Sequence, residues 1–304
     1  MPRTTTFANI GTDISGLKTS EEVLNAAGLN YNVVKKPMYF KDKSGNLIDY
    51  PDQKFTMIEG TDKVLGVVSS KYEVCQNREA FGFIDYIGGA DEGFEYVKAG
   101  ETSSGLIYII AKIPNVTLMG DAITPYIIFQ NSHDGKTSLK ATICPLRIIC
   151  QNQFNVSFRK SPNTVRIVHS TQMDKRMLVA REMMRDVAGY METFTETAED
   201  LATRKIKYDD VISMFNHIFE YNPATMSDRQ KRNFEDSRNE FLACYNNDDN
   251  QNFRGTAWGV MNGAADYLTH HKPFRKTSPD TLFVNTTLLA TTLNQIFKHV
   301  SAYT

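Results

Sequence analysis

Paired cysteines, tryptophan and long apolar runs are what this sequence has least of. Its four cysteines, Cys75, Cys144, Cys150 and Cys244, form no CxxC pair. That excludes a disulfide framework and fits a reduced compartment, with each thiol read as a small buried apolar group. No stretch approaches the roughly 20 apolar residues that span a bilayer, so no membrane partner is expected. The opening MPRTTTFANIGTDISG has no apolar signal segment, so the expected location is cytoplasmic. There is no GxxxxGK[ST] loop and no GxGxxG turn to cradle phosphates. The six histidines, His133, His169, His217, His270, His271 and His299, show no HxxxH spacing. The NNDDNQN run at 246–252 lacks the glycine and distal glutamate of a calcium loop. On spacing alone no metal site and no cofactor is expected.

What is present is enough to fold. Of 304 residues, 41% are apolar and 23% charged, a balance that supports a buried core and argues against disorder. Net charge is −1, but the charges are unevenly placed. From Lys136 to Arg185 ten basic residues face only Asp174 and Glu182, a net of +8; the other 24 bases and 33 acids give −9. Such a segment marks a candidate anion-binding surface if the fold gathers it onto one face.

Local patterns divide the chain. In TSEEVLNAAG, Thr19 and Glu22 have capping-box spacing and Gly28 can stop the helix. MYFKDKSGNLIDY and QKFTMI read as strands turned at Ser44-Gly45-Asn46, and LGVVSSKYEV as a further strand. Asn77 is placed to cap a helix through REAFGFIDYI. Two more hairpins follow, one turned at ETSSG and one at NSHDG. Pro145 interrupts the pattern. A helix starting near it is the reading preferred here, with a continuing strand through RIIC as the alternative. From about 172 to 203, Met173, Met177, Ala180, Met184, Val187, Met191, Phe194, Ala198 and Leu201 recur at alternating steps of four and three. This is a long amphipathic helix, laid across the sheet or, as the alternative, paired in a coiled coil. After Lys207 the sequence reads as helix throughout. The expected fold is α+β: an antiparallel β-hairpin sheet with a long packed helix over 1–206, then an all-helical region over 207–304.

The adjacent Ser132, His133 and Asp134 have the residue types of a hydrolase triad. Neighbours on a strand point to opposite faces, whereas a triad converges on a chain of hydrogen bonds. Turn chemistry explains the run better, with Asn131 and Asp134 bonding the backbone and Gly135 supplying positive φ. No catalytic residue is assigned, and no enzyme activity is expected.

The basic segment is the remaining candidate site. Lys136, Lys140, Arg147, Arg159, Lys160 and Arg166 are suited to phosphates, with Lys175 and Arg176 extending the surface. Gln151 and Asn152 supply amide donors, and Phe154 and Phe158 supply stacking platforms. The competing reading pairs these bases with the acids elsewhere and buries both phenylalanines.

Four stretches, TSEEVLNAAGLNYNV, LGVVSSKYEVCQNREAFGFID, TPYIIFQNSHDGKTSLKATICPLRIICQNQFN and GTAWGVMNGAADYLTHH, resemble the phage/plasmid-like proteins built on a domain of unknown function, found in prophages and conjugative plasmids. The resemblance implies a bacterial-host setting and carries over no catalytic residue. The arrangement of hairpins followed by a long helix is also similar to the Rad52/RecT-type single-strand annealing proteins. That likeness implies a basic groove between hairpin and helix and a homo-oligomeric ring or filament. The expectation is a phage-encoded nucleic-acid-binding protein, with single-stranded DNA favoured, in annealing or recombination. The alternative is an inhibitor that binds a host protein of a defence system.

Overall fold

The computed structural model describes residues 10–82, 84–87, 94–102, 104–147, 152–153, 157, 162–169, 187–272 and 281–303. The expected α+β class holds, with antiparallel sheets in the first half and mostly helices in the second. Among the described residues no helix is long and apolar enough to cross a membrane.

Helix α1 (Ser20–Ala26) starts where the sequence places it. The Glu22 N–H donates to the Thr19 hydroxyl at 3.2 Å, and the Thr19 N–H donates to the Glu22 carboxylate at 3.1 Å. Both halves of the capping box satisfy amides that the helix itself cannot. Thr19→Ala is expected to cost about 1 kcal/mol, read as a lower denaturant midpoint at unchanged m-value.

Strands β2 (Val33–Lys41), β3 (Leu47–Ile58) and β4 (Val64–Ser69) form a three-stranded antiparallel sheet. β4 pairs only from Gln53 to Met57, so the distal β2–β3 ribbon is two-stranded. It exposes Tyr39, Phe40, Leu47, Ile48 and Tyr50. Helices α2 (Asn77–Gly82) and α3 (Ile84–Ile87) follow. Asn77, expected as a cap, is instead the first helical residue and turns into the core, where its amide donates to the Leu29 carbonyl at 2.8 Å. The expected stop at Gly88-Gly89 lies outside the described residues.

The larger sheet takes β1 (Thr12–Asp13), β5 (Glu95–Glu101), β6 (Leu106–Lys112), β8 (Asp121–Ser132), β9 (Leu139–Arg147) and β10 (Asn152–Gln153) in that order. In addition, β7 (Val116–Leu118) pairs with β8 and β11 (Thr164–Ile167) pairs with β9. Alternation along the strands divides its faces. Ile109, Phe129 and Ala141 are aligned in register, as are Ala111, Ile127 and Ile143. All six join the main apolar cluster. Tyr108, Ile110, Tyr126, Ile128, Cys144 and Leu146 form a smaller cluster with Ile10 on the other face.

The helix preferred at Pro145 is not found: the residue lies inside β9, directly opposite Pro125 of β8. Pro125 turns its carbonyl the other way, to the Ile113 N–H at 3.1 Å, so the opposed pair requires no ladder donor. On the outer side of β9, β11 reaches Thr142 and β10 begins at Leu146, leaving Pro145 between them. Both prolines therefore sit where an N–H is not needed.

Helix α4 (Val187–Thr203) buries Val187, Met191, Phe194, Ala198 and Leu201, the second part of the heptad stripe. The first part, through Met184, lies outside the described residues. The remaining helices are α5 (Tyr208–Ile218), α6 (Asp228–Tyr245), α7 (Ala257–Asp266) and α8 (Thr281–Val300). Every residue of α7 is buried, which marks it as the helix the others surround. Phe194 meets Trp258 edge-on at 5.9 Å, joining α4 to α7. The main cluster contains residues on both sides of position 206, from Leu24 and Phe129 to Phe215, Trp258 and Ile296.

Candidate functional site

The face of the larger sheet that carries the smaller apolar cluster becomes polar at one end. Tyr108, Gln130, Lys140 and Arg166 stand directly opposite one another across β6, β8, β9 and β11. Residues opposed in register share a face. The next row brings Thr142 against Thr164, their hydroxyls 3.2 Å apart. Helix α8 lies over this end. It turns Leu293, Ile296 and Val300 into the core. Ala290, Thr291, Asn294, Gln295 and Lys298, spaced for one helical face, line the space above the sheet.

The result is a cavity of about 490 Å³ lined by Lys140, Arg166 and Lys298 with amide and hydroxyl side chains. Asn163, at its edge, is held by the backbone: its amide donates to the Ile143 carbonyl at 3.2 Å, and its own carbonyl accepts from the Ile143 N–H at 2.7 Å. Gln295 and Lys298 also line a neighbouring space of about 920 Å³ with His217, Glu220, His299 and Tyr303. The two cavities meet along α8.

Like charges directly opposed in a sheet repel. Half-burial, and then Arg166, hold the Lys140 ammonium below the usual lysine range. Among the described residues no carboxylate lies within ion-pair distance of Lys140, Arg166 or Lys298. An anion entering the cavity would relieve that repulsion and accept charge-assisted hydrogen bonds.

Of the residues expected to contact nucleic acid, the structure brings together Lys140 and Arg166. Lys136 is separate. It stands in the β8–β9 turn with its side chain 84% exposed, and its ammonium is 3.9 Å from the Asp134 carboxylate. Arg147 and Asn152 pair in register near the other end of β9; their side chains lie outside the description. Gln151, Phe154, Phe158, Arg159, Lys160, Lys175 and Arg176 lie outside the described residues. Lys298, Asn294 and Gln295 were not anticipated. Their i, i+1, i+4 spacing marks a polar helix face, but nothing in the sequence ties that face to the strands at 130–166.

The Ser132-His133-Asp134 run is a turn. The Ser132 hydroxyl lies 2.8 Å from an Asp134 oxygen, which also accepts the Lys136 N–H at 2.9 Å. His133 points away into the core, 2% exposed, with Nε2 3.0 Å from the Asn77 side-chain oxygen. The turn also anchors the smaller sheet: Thr56 donates to the His133 carbonyl at 2.6 Å and Tyr72 to the Ser132 carbonyl at 3.1 Å. Among the described residues one group of side chains has metal-ligating chemistry, Cys244, Asp266 and His271, with ligating atoms within 4.8 Å of one another.

Sheet, surrounding helices and cleft define an α+β protein with a cation-lined groove where the two halves of the chain meet. The chain belongs to the family of the Domain of unknown function (DUF932), whose model matches residues 64–289. Three of the four stretches that carry the sequence resemblance fall inside that match; the stretch at 19–33 precedes it. No curated protein and no solved structure matches the chain.

Proposed function

We propose that the cleft between the sheet and α8 binds the phosphate backbone of nucleic acid, single-stranded DNA foremost. The protein then acts in a bacterial host cytoplasm as a phage-encoded annealing or recombination accessory, by binding rather than by chemistry. The observation that supports this reading is the opposition of Lys140 and Arg166, with Lys298 above them and no carboxylate in ion-pair range among the described residues. Cations held together at such a cost in repulsion suit a polyanion. The amides and hydroxyls between them suit sugar and phosphate oxygens.

Anisotropy of a labelled oligonucleotide tests it. Three phosphate contacts predict a log–log salt slope of roughly −2, hence about 15-fold weaker binding between about 50 and 200 mM salt. Arg166→Ala, at an exposed position, is expected to make the slope less steep by about 0.7. Absence of binding at low salt, or binding indifferent to salt, overturns the proposal.

A second reading, docking to a host defence protein, is favoured by a different surface: the β2–β3 ribbon with Leu47 67% and Phe40 49% exposed. The readings separate in one comparison. Oligonucleotide binding that is unchanged in Phe40→Ser and Leu47→Ser but weakened, with a less steep salt slope, in Arg166→Ala supports the cleft.

A further inference from the structure

Away from the cleft, the end of α7 continues into a π-helical turn, Tyr267–His271, closed by the Lys272 N–H donating to the Tyr267 carbonyl at 2.7 Å. Residues five apart stand about 140° round a regular α-helix. The wider i→i+5 turn shifts that phase, and His271 comes back over Asp266, with Nε2 3.9 Å from Oδ1. Cys244, in the last turn of α6, completes a group whose ligating atoms all lie within 4.8 Å of one another. Cys244 and Asp266 are buried, while His271 sits at the mouth with its side chain 33% exposed.

We propose that Cys244 Sγ, an Asp266 carboxylate oxygen and His271 Nε2 bind a zinc-class divalent ion, with water in the fourth position. A thiolate, an imidazole and one carboxylate form the mixed donor set that zinc takes, and one that calcium or magnesium, which take oxygen donors, would not select. The other ring nitrogen supplies an independent sign. His271 Nδ1 lies 2.7 Å from the Glu240 carboxylate, the contact by which a ligating histidine is oriented and its free nitrogen made a better donor. The second Asp266 oxygen has a long contact, 3.5 Å, with the Asn247 amide. Ligands on a tetrahedral zinc ion stand roughly 3.3–3.6 Å apart. The 3.9 Å pair therefore closes by about 0.5 Å, and the widest separation by about 1 Å, on loading. Binding would fasten α6 to the end of α7, with the π-helical turn as the element that sets the geometry.

The test uses the full chain, freed of metal with a chelator and titrated with Co²⁺ as a spectroscopic substitute and with Zn²⁺ in competition. The expected result is a thiolate-to-cobalt charge-transfer band with visible bands of tetrahedral type, displaced by zinc. Cys244→Ser removes the charge-transfer band. Glu240→Gln keeps the band and weakens affinity about 10- to 100-fold, because it disturbs only the orientation of the histidine. Should Cys244→Ser fail to fold, His271→Asn, at a partly exposed position, takes its place and is expected to abolish tight cobalt binding. No thiolate band in the parent chain, or a band unchanged in Cys244→Ser or in His271→Asn, overturns the assignment. Oligonucleotide binding by the cleft is scored separately, so the two proposals fail independently.

Discussion

Gly259→Ala is expected to destabilise the protein by about 3 kcal/mol or more, and Gly263→Ala by a comparable amount. Alanine normally improves a helix interior by about 1 kcal/mol over glycine, so the predicted sign is the reverse of propensity. The cause is contact. A Cβ at Gly259 would run into the Phe253 carbonyl oxygen, and one at Gly263 would lie 2.7 Å from the Tyr245 Cα. Both obstacles are backbone and have no rotamer by which to move aside. The Phe253 carbonyl also accepts from the Thr256 hydroxyl at 2.7 Å, and the Gly259 carbonyl accepts from Asn250 at 2.9 Å. Shifting the segments that meet at Gly259 therefore disturbs one part-buried and one buried hydrogen bond. Urea denaturation of the two variants checks the prediction. Unchanged midpoints would mean that α7 does not approach its neighbours at these residues.

Acidification from pH 6.5 to about 4.5 is expected to remove most of about 3 kcal/mol of stability through His133. Burial, and then the neighbouring His169, hold the His133 imidazole down at about 4, against 6.5 for a free histidine, with Asp134 opposing. The folded pKa lies below the unfolded one. The contribution is therefore complete above pH 6.5 and falls as the unfolded chain takes up a proton that the folded chain refuses. It is exhausted below about 4, where both states are charged. His169, stacked on Tyr72 at 4.9 Å, is lowered as well, burial being the largest cause, so it acts in the same direction. The carboxyls of Asp13, Glu22 and Asp42 are held low by backbone N–H groups and act below this window. His133→Gln offers Asn77 a neutral partner and should flatten the stability profile between pH 6.5 and 4.5. A parent protein equally stable at both ends of that range would show that the imidazole is not held neutral.

What the sequence disclosed and what it hid follow from the range of the interactions involved. The capping box at Thr19 and Glu22, the three hairpin turns and the α4 stripe rest on residues a few positions apart, so a window of sequence contains their physics. Pro145 was misread because its tolerance depends on Pro125 opposite and on the gap between β10 and β11, neither of which a window shows. Asn77 looked like a cap because short polar side chains favour caps, but a buried histidine 56 positions away claims its oxygen. The cleft was half visible. Lys140 and Arg166 belong to the basic segment, whereas Lys298 reaches them only through the docking of α8. Cys244, Asp266 and His271 carry no spacing signature, because a π-helical turn, invisible to 3.6-residue periodicity, sets their alignment.

The cleft draws its two walls from strands near residues 130–166 and a helix beyond residue 290. A ribosome making this chain completes the first wall long before the second is synthesised. Sheets can form as the chain emerges, yet the cleft is complete only when residues 290–298 have docked. A nascent chain therefore lacks the assembled groove until α8 has been made and has docked, so any ligand that needs both walls waits for that step.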